Sequence, residues 1–594
     1  MPSQKYFFGR DAILTTVTHK IGCPNITCDP HWLRPSGTFL SSKRSAQRFC
    51  SWLTALILVC PALAGSQIYS GAGNRHEVFA GTETEQYLRY LALTDSTREE
   101  TWSIRPLSPA QIRSLAKTPG AHPWAALKVY SDSMASVLDV GLLSPSASVR
   151  FNSAFPYGSN DGAIWAGRGL TFAAQGGVYA RLGPISLTLM PIVFRAENTA
   201  FSLAPSALPC GCGDFIYGRV VDRPQRFGSQ AYQRLDPGQS SIRIDAFGVN
   251  AGFSTANEGW GPSNEYPFII GNNAPGFAHL FFGTSSPVPL LIGRAHVRVI
   301  YGRLDQSDYS PVTGSKFYSS RLEIGRVRFA SGLVATFQPR GLDGLEVGGS
   351  RFIHSIWPST GIPPSYFRKP LQSFLKANLG NAFDQQIAAT DNQLASFFAR
   401  WAFKESGLEV YAEYGRDDHS YDLRDLLQEP DHQRAYSLGL AKVVGKTPTQ
   451  FSVFRVELMN FQLPPLATTG RGEGSIYVHD PIRQGHTNRG QLLGADIGVG
   501  AAAGSTVRWD HYTTAGRWGI FWRRDVRQET SDPFLAGPSV AQVTDVIQAL
   551  GFERLRFTRR FETTTSLTLM RDFSRDFRAS RFNANAAIAI TLPR

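Results

Sequence analysis

The sequence predicts an all-β transmembrane protein, one large antiparallel barrel of about 18 strands preceded by a small helical segment. Three observations carry that expectation. No stretch in the body of the 594-residue chain approaches the roughly 20 apolar residues that a membrane helix needs. From about residue 141 onward, apolar and polar residues alternate with a period of two, as in a strand with unlike faces. Very short turns also alternate with long irregular connections, which suits a membrane barrel and which a compact soluble domain rarely tolerates.

Taken in order, residues 1–42 show no hydrophobic periodicity and read as an extension ahead of the true start. Cys23 and Cys28 stand there as CPNITC, without the second ligand pair that zinc needs. Residues 43–64 read as a secretory signal peptide: a basic start at Lys43, Arg44 and Arg48, an apolar run from Phe49 to Cys60, and a small-residue cleavage site ending at Ala64. The apolar run is too short for a membrane anchor, and Val59 before Cys60 disfavours a lipid-modified cysteine. Removal of this segment leaves only Cys210 and Cys212, a C-G-C pair that can close a strained local disulfide in an oxidising compartment. It also takes away seven basic and two acidic residues, so the formal charge falls from +13 to +8. A moderate positive excess on an exported protein fits an acidic polymer or lipopolysaccharide phosphate as neighbour, and no nucleic-acid-binding motif is present.

Residues 65–141 carry helical signals. Thr82 to Glu85 reads as a capping box ahead of Tyr87, Leu88 and Leu91, and Ser108 with Pro109 opens a second helix carrying Ile112 and Leu115. Helices this short must lean on a larger body.

Residues 142–594 read as the barrel. Phe397, Ala399, Trp401 and Phe403 alternate with Ser396, Phe398 and Arg400, and Trp518, Ile520 and Trp522 alternate with Arg517, Gly519 and Arg523. Arg and Glu interleaved on successive strands suit a closed lumen in which charges pair across neighbours. The expected strands run from 146–155 to 579–592 and include 241–253, 319–330, 331–338 and 491–502; long loops are expected at about 197–240, 254–289, 354–393, 461–490 and 525–546. The chain ends on Pro593 and Arg594 and not on the aromatic residue common in such barrels.

Between two of these strands lies Phe253 to Gly283, in which Gly, Pro and Asn are interleaved with aromatic residues. The mixture is too rich in turn residues for a helix and too aromatic for a linker, so it reads as a folded loop. Sugars would suit it, because their flat CH faces stack on aromatic rings and Asn both donates to and accepts from hydroxyls.

Within it, GWGPSNEYPFIIGNNAPGF resembles the signature loop of the Wzi-type capsule assembly family, outer-membrane β-barrels that hold capsular polysaccharide at the cell surface. Glu409 to Asp422 and Tyr477 to Gly498 extend the resemblance, which runs from about residue 75 to the C-terminus. It implies a helical bundle at the periplasmic mouth, an outer-membrane address, and a lectin-like role without bond-making chemistry.

The expected polysaccharide contacts are Trp260, Tyr266, Asn272 and Asn273 in the loop, the cationic stripe Arg294, His296 and Arg298, the acidic group Glu413, Asp417 and Asp418, and Tyr477, His479 and Asn488. Each has a structural alternative: loop packing for the first four, and pairing inside the lumen for the charged ones. His479, His486 and His511 lack metalloprotease spacing and no serine sits in a G-x-S-x-G elbow, so neither a metal, a cofactor nor an enzyme is expected. The function expected is polysaccharide binding and attachment by a monomer in the bacterial outer membrane, and a channel for a polar or anionic solute is its rival.

Overall fold

The computed structural model describes residues 78–94, 100–116, 121–127, 138–203, 221–310, 326–375, 391–417, 422–428, 430, 433–462, 476–479, 482, 484–529, 543–573 and 580–592. All of them fall in one unit, Gln67–Arg594. The proposed signal segment, Cys210, Cys212, Asp418 and the two terminal residues lie outside the described residues.

The strands close into one antiparallel barrel of 18. In chain order they are β1 Leu138–Asn152, β2 Gly169–Leu182, β3 in two pieces (Ile185–Leu189 and Ile192–Ala196), β4 in two pieces (Tyr232–Asp236 and Ser241–Ala246), and β5 Val249–Ser254. Then come β6 (His279–Thr284 continued by Val288–Leu290), β7 Gly293–Asp305, β8 Val327–Pro339, β9 Leu345–Ile356, β10 Asp391–Phe403 and β11 Leu408–Asp417. The circuit is completed by β12 Arg434–Val444, β13 Gln450–Gln462, β14 Ala501–Thr513, β15 Gly516–Glu529, β16 Val543–Phe557, β17 Glu562–Asp572 and β18 Arg581–Thr591. Closure is made by β18 on β1, from Ser146 opposite Thr591 to Asn152 opposite Asn585.

The total agrees with the expected number, although four of the expected segments change. The stretch 241–253 is a hairpin, turned by Phe247 and Gly248, both at positive φ (55° and 80°) as a tight two-residue turn requires. Segments 319–330 and 331–338 give a single strand, β8. The expected break between residues 330 and 331 lies inside that strand, and the neighbouring Gly332 is a place of close approach: a Cβ there would lie 2.5 Å from the Trp260 ring. Strand β6 rises from within the expected loop 254–289, and of 491–502 only Ala501 and Ala502 belong to the wall, in β14, while Gln491–Leu492 forms a small ribbon with Thr487–Asn488.

Alternation sorts the faces as expected. Phe397, Trp401 and Phe403 point outward at 63%, 39% and 39% exposure, while Ser396, Phe398 and Arg400 are buried in the lumen. An apolar belt of this kind faces lipid in a membrane barrel. All the tight turns, such as Gly183-Pro184 and Phe247-Gly248, fall at one end of the barrel, and the long connections fall at the other.

Helices α1 (Glu83–Ala92) and α2 (Pro109–Ala116) sit at the tight-turn end. Thr82 accepts from the Glu85 amide and Glu85 accepts from that of Gly81; Ser108 and Gln111 reciprocate in the same way for α2. Tyr87 stacks on Trp124 at 3.9 Å; Tyr87 rests on Phe451 of the wall, and both rings rest on Tyr512. Burial of such side chains contributes about 1.5–3 kcal/mol each, which these short helices need. Polar anchors add direction: Arg89 donates to Glu409 at 2.6 Å, Arg400 shares that carboxylate, and Arg517 forks onto Glu83 at 2.7 and 2.8 Å.

Just after α1, Glu100 is buried at the same end, and burial pushes its carboxyl up to about 7. The protonated form therefore suits the fold: the group imposes no penalty below its ordinary value of 4.5, an increasing one up to about 7, and a constant one above. Glu100→Gln is accordingly expected to raise the thermal midpoint at pH 8, by at most about 3 kcal/mol of stability, and to leave it unchanged at pH 4. Heat-modified gel mobility at the two pH values checks this.

Candidate functional site

The loop between β5 and β6 is folded, as its composition predicts, but it turns inward and fills the lumen. Its aromatic residues need large apolar partners, and the barrel interior supplies them. Trp260 is fully buried, edge-on to Phe352 at 6.2 Å, with its indole N–H donating to Glu258 at 3.2 Å. Glu258 is the hub of the attachment to the wall: it accepts from Arg298 at 2.5 and 2.8 Å and is bonded to His279 at 3.1 Å. Burial alone would raise this carboxyl, yet the Arg298 charge and the His279 bond hold it down at about 2. Tyr266 is buried opposite, bonded through its hydroxyl to Thr506 at 2.7 Å and stacked under Arg523.

The other expected contacts belong to the same framework. Glu413 lies beneath Gly261, where a Cβ would come within 2.8 Å of its carboxylate. Asp417 accepts from the Tyr477 amide at 2.6 Å, the Tyr477 hydroxyl donates to the Phe268 carbonyl, and Asn488 donates to that of Pro275. His296 bonds Thr284 at 2.6 Å, Arg294 lines a cavity at the tight-turn end, and His479 is half-buried. The structure thus gathers Trp260, Tyr266, Arg298, Glu413, Asp417, Tyr477 and Asn488 into a plug and its sockets. Of the four loop residues expected to touch glycan, Asn272 and Asn273 line open space and Trp260 and Tyr266 do not.

That space runs along the side of the lumen the plug leaves free, against β1, β2 and β14 to β18. A cavity of about 480 Å³ is lined by Ser148, Thr171, Asn272, Thr506, Thr564, Ser566 and Asn585. Its five arginines, Arg105, Arg150, Arg508, Arg517 and Arg523, face five carboxylates, Glu83, Glu85, Asp161, Glu265 and Glu553. A second cavity of about 230 Å³ lies toward the long loops and combines the rings of Phe155, Tyr157, Trp165 and Phe201 with Asn273, Gln491 and Asp496.

The segment from Tyr157 to Ile164 lines both. It is pinned to the wall by Asp161 on Arg150 (2.7 Å) and Ser159 on Arg523 (2.7 Å), and to the plug by the Gly162 amide on the Asn272 carbonyl (2.7 Å). Burial pushes the Tyr157 phenol up to about 12, so it stays a neutral donor. Such cavities suit an uncharged or weakly charged polyhydroxylated ligand: paired ions contribute no net field, hydroxyls and amides donate and accept, and rings offer apolar faces.

None of the aromatic residues of the smaller cavity was singled out from the sequence. The signal was available, because SAFPYGSNDGAIWAGR (153–168) repeats the Gly, Asn and aromatic mixture of the plug loop on a smaller scale.

Fold and cavities together define a plugged transmembrane β-barrel of the outer-membrane type. Its fold is similar to that of Wzi of Escherichia coli, described as an outer membrane protein involved in group 1 capsule assembly and a carbohydrate-binding β-barrel. The two share 14% identity at a TM-score of 0.54, over 88% of this chain and 99% of that one. OccAB3 of Acinetobacter baumannii (6% identity, TM-score 0.37, 77% of this chain and 99% of that one) and OccK2 of Pseudomonas aeruginosa (7%, 0.36, 77% and 97%) are more distant. No protein-family model and no curated protein sequence matches the chain.

Proposed function

We propose that this protein binds capsular or exopolysaccharide at the outer face of the outer membrane and helps attach or assemble it there, without catalysis. The observation that carries this reading is the smaller cavity, in which four aromatic side chains stand beside amide and carboxylate groups at the long-loop end of an internally braced barrel. The likeness in fold to a barrel described as carbohydrate binding supports the same reading. The residues proposed to touch glycan are Tyr157, Trp165, Phe201, Asn272 and Asn273, and the paired charges around them suit a neutral or weakly charged stretch of polymer. We read the plug, with Trp260, Tyr266 and Arg298, as the platform that holds these groups still.

The test is surface-retained against shed polysaccharide in a strain lacking the protein. Wild-type complementation is expected to restore retention. The half-buried pair Trp165→Ala with Phe201→Ala is expected to weaken binding of isolated polymer by roughly tenfold, the equivalent of about 1.4 kcal/mol. Retention unchanged by deletion of the protein would refute the reading.

A second reading, a channel for a small polar solute, draws on one specific observation. The two cavities lie in series along one wall, with the Tyr157–Ile164 segment and Arg523 lining both. Bilayer conductance separates the two readings.

A further inference from the structure

One connection leaves the barrel on its outside. The strand register puts Phe329, Ser331, Arg351, Ile353, Asp391 and Gln393 on the outward rows, in line with Tyr301, Leu333 and Phe397. All six are nonetheless between 0 and 3% exposed. Residues 357–375, including the 3₁₀ helix Pro364–Leu371, fold back over them as a strap.

Polar bonds hold the strap down. Arg351, aimed out of the barrel, donates to Gln393 at 2.5 Å, to the Ser373 carbonyl at 3.0 Å and to that of Gln372, with Phe374 packed on its guanidinium at 4.2 Å. Lys369 pairs with Asp391, and Tyr301 donates to the Phe367 carbonyl at 2.7 Å. An arginine and an aspartate facing hydrocarbon would be costly, and the strap satisfies them at close range.

The strap then presents a new outer face. Phe367, Leu371 and Phe374 are 45%, 77% and 49% exposed, and the belt continues beside them in Leu280, Phe282 and Phe397 at 45%, 47% and 63%. Arg368 is exposed among these side chains and has no ion partner among the described residues. Arg303, two residues beyond Tyr301 on the same outward row, is half exposed and bonded to Asp305.

We propose that this strap is a lipid-docking element that takes a phosphorylated glycolipid of the outer leaflet, with acyl chains against Phe367, Leu371 and Phe374 and a phosphate at Arg368. Continuity with the apolar belt fixes the lipid side, and the unneutralised guanidinium at its edge selects an anionic headgroup, to which arginine offers a fork of donors. The inference rests on the membrane placement of the barrel and not on the glycan reading, so either can fail alone.

The experiment uses the full-length protein in phosphatidylcholine vesicles, alone or with diphosphorylated lipid A, dephosphorylated lipid A or phosphatidylglycerol, and reads the thermal midpoint by heat-modified gel mobility. Diphosphorylated lipid A is expected to raise the midpoint by several degrees over its dephosphorylated form. Arg368→Ala should lose most of that rise and Arg368→Lys keep much of it, while Leu371→Ser with Phe374→Ser should lower the midpoint in every vesicle. Three outcomes overturn the proposal: no rise for the wild type, a full rise for Arg368→Ala, or an equal rise with phosphatidylglycerol, which would mark a general anionic-lipid contact.

Discussion

Glu258→Ala is expected to release the plug from the barrel wall. The carboxylate is wholly buried and accepts from Arg298, His279 and Trp260, so its removal strands a buried guanidinium and an indole donor together. Breaking a buried ionic pair from one side costs about 3–5 kcal/mol, far more than an exposed pair would. The barrel ladder does not depend on this contact, so the loss falls on local stability. Hydrogen exchange of amides 255–278 should accelerate more than a hundredfold, with β14 to β18 unaffected. Glu258→Gln, which keeps the shape and one acceptor, should sit between the variant and the wild type.

The same carboxylate sets a pH dependence. Its folded value of about 2 lies below the ordinary 4.5. Its contribution is therefore complete above pH 4.5 and is lost as the pH falls toward 2. Protection of the plug in the wild type should weaken between pH 4 and 2, and Glu258→Ala should flatten that response.

Replacing residues 257–275 with a short Gly-Ser turn is expected to convert a silent barrel into a conducting one. An 18-stranded wall encloses an aqueous channel when nothing fills it, as in porins of similar strand number. Here the loop supplies Trp260, Tyr266, Phe268, Ile269 and Ile270, all at most 2% exposed, to the cluster that occupies the lumen. Planar-bilayer recordings should show background current for the wild type and discrete large steps for the variant, whose closure is checked by heat-modified gel mobility. Asp161→Ala, which loosens the partition between the two cavities and leaves the plug in place, should give much smaller steps or none. Robust wild-type conductance would favour the channel reading, and a silent but folded deletion variant would place the block in residues 476–499.

Much of the wall was legible because strand faces are decided locally. Side chains i and i+2 share a face whatever the rest of the chain does, so Leu550 and Phe552 against Ala549 and Gly551 already separate lipid from lumen. Errors in the strand boundaries came from glycine, which marks both tight turns and close packing. Gly248 turns a hairpin; Gly332 makes room for an indole that is 72 residues away in sequence. Nothing adjacent to either glycine tells the two uses apart.

By itself the sequence determined a two-faced wall, its approximate strand number, the capped helices and a folded aromatic loop, because period, caps and turn chemistry act over a few residues. Only the tertiary structure decided that this loop points inward and that Trp260, Tyr266, Arg298 and Asn488 hold it there. The direction of the loop depends on whether a matching interior exists. That interior is assembled from Gly332, Phe352, Glu413, Glu457 and Thr506, which lie on five different strands and come together only when the barrel closes.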